Sequence, residues 1–316
     1  MSKRLPIVCH GHSRPIVEVN YSNLTPDGYF LASASKDKTP MLRHGETGDW
    51  YGTFTGHKGA VWSSVLNHSA LLCATASADF TARVWDACSG VQMHEFSHPH
   101  IVRTTSFSMH TDKLATGGHD KLIRIFDLGA PEAAPQMLPQ TPSAVRNVVW
   151  LQEDNILICT LLDTPGINVY DMRTMQLAQS LPTAAPVTSI DVTYDQQVMT
   201  TAEGWTVRFF NTSTLSLMKQ QELTHNAEAA SFCPQFKRFV AGGEDMWVHL
   251  YNYETGEELA VNKGHHGPVH TLRFAPTYEA YASGSEDGTI RIWSLDSCPA
   301  VAGVENGVHH ENGGST

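Results

Sequence analysis

His57, Ser77 and Asp79 fall within one short stretch of the chain. A serine, a histidine and an aspartate are the parts of an acyl-transfer site, in which the imidazole takes the serine proton and the carboxylate orients the imidazole. That chemistry also needs an exposed nucleophile and an oxyanion hole, and the residues around Ser77 offer neither. The same histidine-to-aspartate spacing recurs as His98/Asp120 and His265/Asp287, and three residues longer as His12/Asp37. A hydrolase needs one such set, so four copies favour a structural device that uses the same atoms. In that reading each histidine joins its aspartate, a nearby Ser or Thr and a strand tryptophan, here Trp85 or Trp293, in one network, with Ser77 the candidate hydroxyl for His57. Such a network satisfies buried polar groups and holds loops in place. Metal ligands must converge, and these histidines are spread along the chain. No phosphate-binding glycine loop or EF-hand loop is present. The expectation is therefore no catalytic residue, no metal and no cofactor.

The elements that carry these residues repeat. His12, His57, His98 and His265 each stand four residues before an aliphatic anchor: Ile16, Val61, Val102 and Val269. Thr141, Thr183 and His225 stand likewise before Val145, Val187 and Ala229. The seven anchors are spaced 40 to 45 residues apart. A second landmark follows each anchor: TARVWD, LIRIFD, INVYD, TVRFFN, WVHLYN and TIRIWS. Alternating apolar residues that end on an aromatic mark half-buried strands. Asp79, Asp120, Asp245 and Asp287 lie six residues before that aromatic, among small residues that signal tight turns. This period, with its His and Trp-Asp landmarks, resembles the WD repeat of four strands per blade. Seven units predict an all-β, seven-bladed WD-repeat propeller over residues 1–296, with residues 297–316 a disordered tail. The seventh unit lacks a fourth strand, and residues 5–9 can supply it, closing the ring without an open edge. The proline-rich stretch at 129–142 reads as a connection around the fourth strand of blade three.

Two sets of residues follow from this geometry. Those just after the anchors, namely Val17, Trp62, Arg103, Arg146, Thr188, Ala230 and His270, should point to the narrow face. Those just after the turn aspartates, namely Lys38, Phe80, Lys121, Pro165, Trp205, Met246 and Gly288, should neighbour them. Aromatic and arginine side chains exposed there are favoured anchors for a protein partner, and Trp62 packed on Phe80 is the structural alternative. Blade one departs from the repeat, because Arg43 stands where the third-strand tryptophan belongs. A lone buried guanidinium is costly, so Arg43 is expected to reach solvent, where it could join the partner-binding set, or to pair with Glu46 or Asp49. Blades four and five place Thr141 and Thr183 at the histidine position and Thr164 and Gly204 at the aspartate position, which predicts different turns there.

Composition bounds the function. Against 21 Lys and Arg stand 32 Asp and Glu, a net charge of −11 over 316 residues. Nucleic-acid phosphates and anionic membranes attract the opposite sign. No membrane span or secretory signal is read, and six scattered cysteines suit a reducing compartment. The runs KDKTPMLRHGETGDWYGTFTGHKGAVW and ATASADFTARVWDACSG, with GGHDKLIRIFDL and GGEDMWVHLYNYETGEEL, resemble the serine/threonine kinase receptor-associated protein family. The resemblance implies a non-catalytic scaffold, cytoplasmic and also nuclear, that binds proteins. Its implied partners are Gemin or Sm-like subunits of the survival-motor-neuron complex, or an RNA-binding translational regulator, with RNA reached only indirectly. Receptor-kinase signalling is a further role of that family. The alternative resemblance is to subunit i of translation initiation factor 3, which has a similar start to blade two; a Ser-His-Asp hydrolase is the remote third reading.

Overall fold

Small residues dominate the second strand of nearly every repeat, as in LASAS, CATAS, LATGG, FVAGG and YASGS, and the reason is how closely the blades approach one another. A Cβ on Gly117 would stand 2.4 Å from Cγ1 of Val145 in the next blade, and one on Gly284 would stand 2.7 Å from Cγ2 of Ile16 across the ring closure. The structure, a computed structural model, describes residues 5–295; the expected tail at 297–316 lies outside the described residues. It contains 27 strands among these residues, arranged as antiparallel four-stranded sheets. Blade two is representative: Val61–Leu66 runs innermost, followed outward by Leu72–Ser77, Thr81–Asp86 and Gln92–Ser97. One sheet has seven strands, because the 17-residue strand Leu217–Cys233 ends blade five and begins blade six without a break. Counting that sheet as two blades gives seven in all, a WD β-propeller.

The ring is closed by the start of the chain. Ile7–Cys9 pairs antiparallel with Ile290–Ser294, with Ile7 opposite Ile292 and Cys9 opposite Ile290. Cys9, Ile290 and Ile292 then share one buried cluster with Ile16, Val19 and Leu31 of blade one, so the closing strand is also packed and not merely hydrogen-bonded. The fourth strand of blade three is reduced to Gln136–Met137, within the proline-rich connection. No described helix is long and apolar enough to cross a membrane.

Candidate functional site

In blades one, two, three and seven the histidine sits in the loop before the inner strand, and the aspartate sits in the turn after the second strand. In blade two the two meet: His57 Nδ1 lies 2.8 Å from Asp79 Oδ2, and Nε2 lies 2.7 Å from Thr75 Oγ1. Trp85 Nε1 donates to the same Thr75 hydroxyl at 2.9 Å. With its oxygen accepting from Trp85, Thr75 is free to donate to Nε2, which leaves Nδ1–H to donate to Asp79. Asp79 also accepts from the Lys58 amide and from the amide and hydroxyl of Thr81. Burial alone would raise the Asp79 pKa, but bonds from His57, Thr81 and Lys58 hold it well below the usual carboxylate range. The hydroxyl in this network is Thr75 and not Ser77, which is a correction to the expectation. Ser77 Oγ donates to the Gly59 carbonyl and accepts from the Asp79 amide. The hydroxyl faces the backbone of the turn, not the imidazole, so the three residues do not form a nucleophilic triad.

Blade seven repeats the arrangement with His265, Asp287, Ser283 and Trp293. Blade one has His12, Asp37 and Ser33, with Arg43 in the tryptophan's place. Blade three breaks the pattern. His98 Nδ1 meets the Phe96 carbonyl at 3.0 Å, and Asp120 pairs with Arg124 instead. The expected His98–Asp120 pair is therefore absent. Phe126 at the aromatic position has no N–H, so Thr116 bonds His98 alone. Burial, and then the Arg124 charge, push the His98 pKa down to about 4.

Arg43 also corrects an expectation. Its side chain is buried, so it cannot contact a partner, and neither Glu46 nor Asp49 pairs with it. The guanidinium instead donates to the carbonyls of Gly48 (3.1 Å) and His10 and touches the Met41 sulfur. Backbone carbonyls have replaced a carboxylate, and burial lowers the Arg43 pKa. In blade five Glu203 does the aspartate's work, joining Arg208, Thr201 and the Ala184 amide. That turn is one residue shorter than in blade two, as the pairings Ala202 with Val207 and Ala76 with Ala82 require.

Blade six holds His225, Asp245 and His249 with ligand atoms within 4.8 Å of one another, the arrangement here that could hold a metal. His225 Nε2 is buried without a hydrogen-bond partner. The cause is local, because Ala241 occupies the place of Thr75 and offers no hydroxyl. The two imidazoles stack at 3.9 Å and 18°, so their lone pairs run side by side and do not converge on one point. His249 is already shared between Asp245 and Glu258. This donor set fits a stacked histidine pair better than an ion.

The axis of the ring is lined by the residues after the anchors. A cavity of about 170 Å³ is bordered by Val17, Trp62, Arg103, Arg146, Thr188 and His270, the predicted set from six blades. Blade six contributes Glu228 in place of the expected Ala230. Ala227 pairs with Gly243 as Val61 pairs with Ser77, so Ala227 is the true anchor and this strand begins two residues early. Arg103 lies over the Trp62 ring at 4.1 Å, while Phe80 packs on His100 at 5.7 Å and His100 stacks on His119 at 5.4 Å. The aromatic rim thus runs from Phe80 through two histidines, which were not foreseen, and the Trp62 ring is covered by Arg103. Burial and then Arg146 lower the Arg103 pKa to about 10. Arg146 donates from Nε to the Thr188 carbonyl at 2.9 Å.

The turn residues have an unusual backbone. Lys38, Phe80, Lys121 and Met246 all adopt a left-handed φ of 64° to 74°, where blade seven uses Gly288. In blades four and five the left-handed residues are Gly166, which follows Pro165, and Gly204, which precedes Trp205. Glycine adopts this conformation freely, whereas other residues pay for it. Phe80 and Met246 nevertheless stand 45% and 40% exposed there, and Trp205 beside Gly204 is 59% exposed. Lys38 and Lys121 are exposed as well.

The repeat geometry agrees with comparison to known proteins. A family model for the WD domain, G-beta repeat, matches residues 3–42, 48–86, 90–127 and 256–294. The chain is 45% identical over 291 residues to serine-threonine kinase receptor-associated protein from Gallus gallus, covering 92% of this chain and 83% of that protein. The chain belongs to the serine-threonine kinase receptor-associated protein family. A Dictyostelium discoideum family member is 41% identical over 92% of this chain and 99% of its own length. More distantly, eukaryotic translation initiation factor 3 subunit I of Drosophila melanogaster is 29% identical over 324 residues, 92% of this chain and 97% of that protein. Family membership and fold together make the chain a WD-repeat scaffold for protein interaction.

Proposed function

We propose that the chain is a non-catalytic scaffold of ribonucleoprotein assembly, working in the cytoplasm and nucleus, that presents the narrow face of blades two and three to a protein partner. The observation that carries this reading is the contiguous rim of Phe80, His100, His119, Arg103 and Trp62 beside the axial cavity, flanked by exposed Lys121. Large exposed side chains at left-handed positions oppose local backbone preference, and such positions persist where a function needs them. Aromatic and arginine residues in one patch are the side chains that most often dominate a protein interface. The family resemblance points to Gemin or Sm-like subunits as the partners, with RNA contacted through them. The acidic chain favours protein over bare RNA, since phosphate neutralisation needs clustered cations.

Quantitative capture from native lysate with wild type, Phe80→Ala and Trp62→Ala tests this. Loss of a central aromatic anchor costs about 2 kcal/mol, roughly thirtyfold in affinity. Survival-motor-neuron or Sm subunits should be recovered by wild type and depleted by both variants. Recovery of initiation-factor subunits alone would instead favour the second reading, which rests on the 29% identity to factor 3 subunit I. Equal recovery by the variants would move the interface off this rim.

A further inference from the structure

The axial cavity contains more donors than the protein satisfies. Trp62 Nε1 and Arg103 Nε are both buried and lack a hydrogen-bond partner. Arg103 makes no ion pair among the described residues, and its neighbour Arg146 is bonded only through Nε, to Thr188. The acids nearby are already engaged. Glu228 and Glu286 each accept from His270, and Glu286 also pairs with Lys36. Glu18 lies deeper, holding the Ser64 amide at 2.9 Å. Two guanidiniums and an indole N–H thus border one cavity of about 170 Å³, and of these donors Arg103 Nε and Trp62 Nε1 lack an acceptor. Buried donors without acceptors are costly, and the arrangement matches what an incoming anion would complete.

We propose that this cavity receives a carboxylate side chain from an acidic segment of a protein partner, held between Arg103 and Arg146 and by the Trp62 indole N–H. This rests on the reading of the same face as a partner-binding surface. Guanidinium groups bind carboxylates through paired N–H donors. The Arg103 plane is fixed by its stack on Trp62, so less side-chain freedom is lost on binding. Carboxylate is favoured over phosphate by the surroundings. Glu18 and Glu228 border the cavity, so a monoanionic carboxylate meets less repulsion there than a phosphate monoester carrying close to two negative charges.

The test uses the full chain and a fluorescein-labelled decaglutamate peptide, read by fluorescence anisotropy at low ionic strength. Decaglutamate should bind and decaglutamine should not. Arg103→Gln should weaken binding about tenfold or more, since it removes hydrogen bonds to a charged group; this variant leaves the Arg146–Thr188 bond in place. Arg103→Lys should weaken it less, and Lys237→Gln, remote and paired with Glu254, should leave it unchanged. Equal binding of decaglutamine, or no binding of decaglutamate to wild type, would overturn the proposal whatever the variants do. Displacement of decaglutamate by inorganic phosphate or decauridylate at lower concentration than by unlabelled peptide would also overturn it, assigning the pocket to phosphate. If Phe80→Ala loses lysate partners while Arg103→Gln keeps both partners and peptide, the acidic-segment inference alone falls. If Arg103→Gln loses the peptide yet capture from lysate is unchanged for every variant, the pocket stands and the reading of the face falls.

Discussion

Replacing Thr75 with valine would remove one hydroxyl from the centre of blade two and leave two polar groups without partners. Thr75 is fully buried, so water cannot substitute from bulk. Its oxygen accepts from Trp85 Nε1 at 2.9 Å and meets His57 Nε2 at 2.7 Å. Valine nearly matches threonine in volume, so cavity formation contributes little and the cost is that of orphaned groups. Each unsatisfied buried donor or acceptor costs about 1–3 kcal/mol. Allowing some relaxation, Thr75→Val should lose about 2–4 kcal/mol. Blade three provides an internal control, because Phe126 has no donor and Thr116 serves His98 alone. Thr116→Val should therefore cost about half as much, roughly 1–2 kcal/mol. Ser77→Ala, which loses bonds to the Gly59 carbonyl and Asp79 amide, should fall in the same lower range. Urea unfolding measures all three as shifts in midpoint at constant m. If Thr75→Val lay within about 0.5 kcal/mol of wild type, the scale of ordinary surface changes, or if Thr116→Val cost as much or more, the shared-hydroxyl account would fail.

Removing residues 1–9 should expose the edge of Ile290–Ser294 and uncover the cluster that Cys9 shares with Ile16 and Leu31, lowering both melting temperature and solubility; an unchanged melt would show that the closing strand contributes little. Arg43→Ala should destabilise by about 2–3 kcal/mol, because the buried carbonyl of Gly48 and the carbonyl of His10 lose their donor, and Arg43→Lys should recover little of it since one ammonium lacks the guanidinium's fork. Stability should fall with acid in two stages. His98 and His225 titrate near 4 when folded, chiefly from burial, against about 6.5 unfolded, so the unfolded state binds more protons between these values and stability is full above about pH 6.5 and declines toward pH 4. Asp37, Asp79 and Asp287 are held well below the carboxylate range despite burial, so their stabilisation is present above about pH 4 and is lost on further acidification. His270 has the opposite sign, since the bonds it donates to the Glu228 and Glu286 carboxylates outweigh burial and raise its pKa, and its contribution fades as pH rises. Denaturation midpoints at pH 7.5, 6, 5 and 4 check this, and no decline between pH 6.5 and 5 would contradict the histidine stage.

Much of the site was legible because the repeat places equivalent residues at equivalent positions. Trp62, Arg103, Arg146 and His270 were placed around the axis by counting from the anchors, and the structure puts all four at the same cavity. Blade six was misread by two residues, because Leu217–Cys233 runs straight from one blade into the next and its anchor is Ala227, an inconspicuous alanine. The residue after the turn aspartate is left-handed where Asp37, Asp79, Asp120, Asp245 and Asp287 mark the turn, a backbone state that the spacing did not foretell. In blades four and five the turns differ in length and glycines take that conformation. A closer look at the second strands would have identified Thr75, since Ser33, Thr116 and Ser283 share its register.

What the sequence determined by itself was the periodic part: the blade count, the order of strands, the clasp, expected at residues 5–9 and paired over Ile7–Cys9, and the ring of residues after the anchors. These follow from local spacing, because each repeat can bury its apolar face only against its neighbours, and a constant period admits few other solutions. What tertiary structure decided was where single polar groups find partners. Whether His98 meets Asp120 depends on Arg124 reaching that carboxylate first. Whether Arg43 needs an acid depends on two carbonyls, Gly48 in the turn after its own strand and His10 in a loop 33 residues away. The unsatisfied donors of Trp62 and Arg103 come together only because different blades converge on one axis. Hydrogen bonds are decided by angstroms and directions, and a period of forty residues specifies neither.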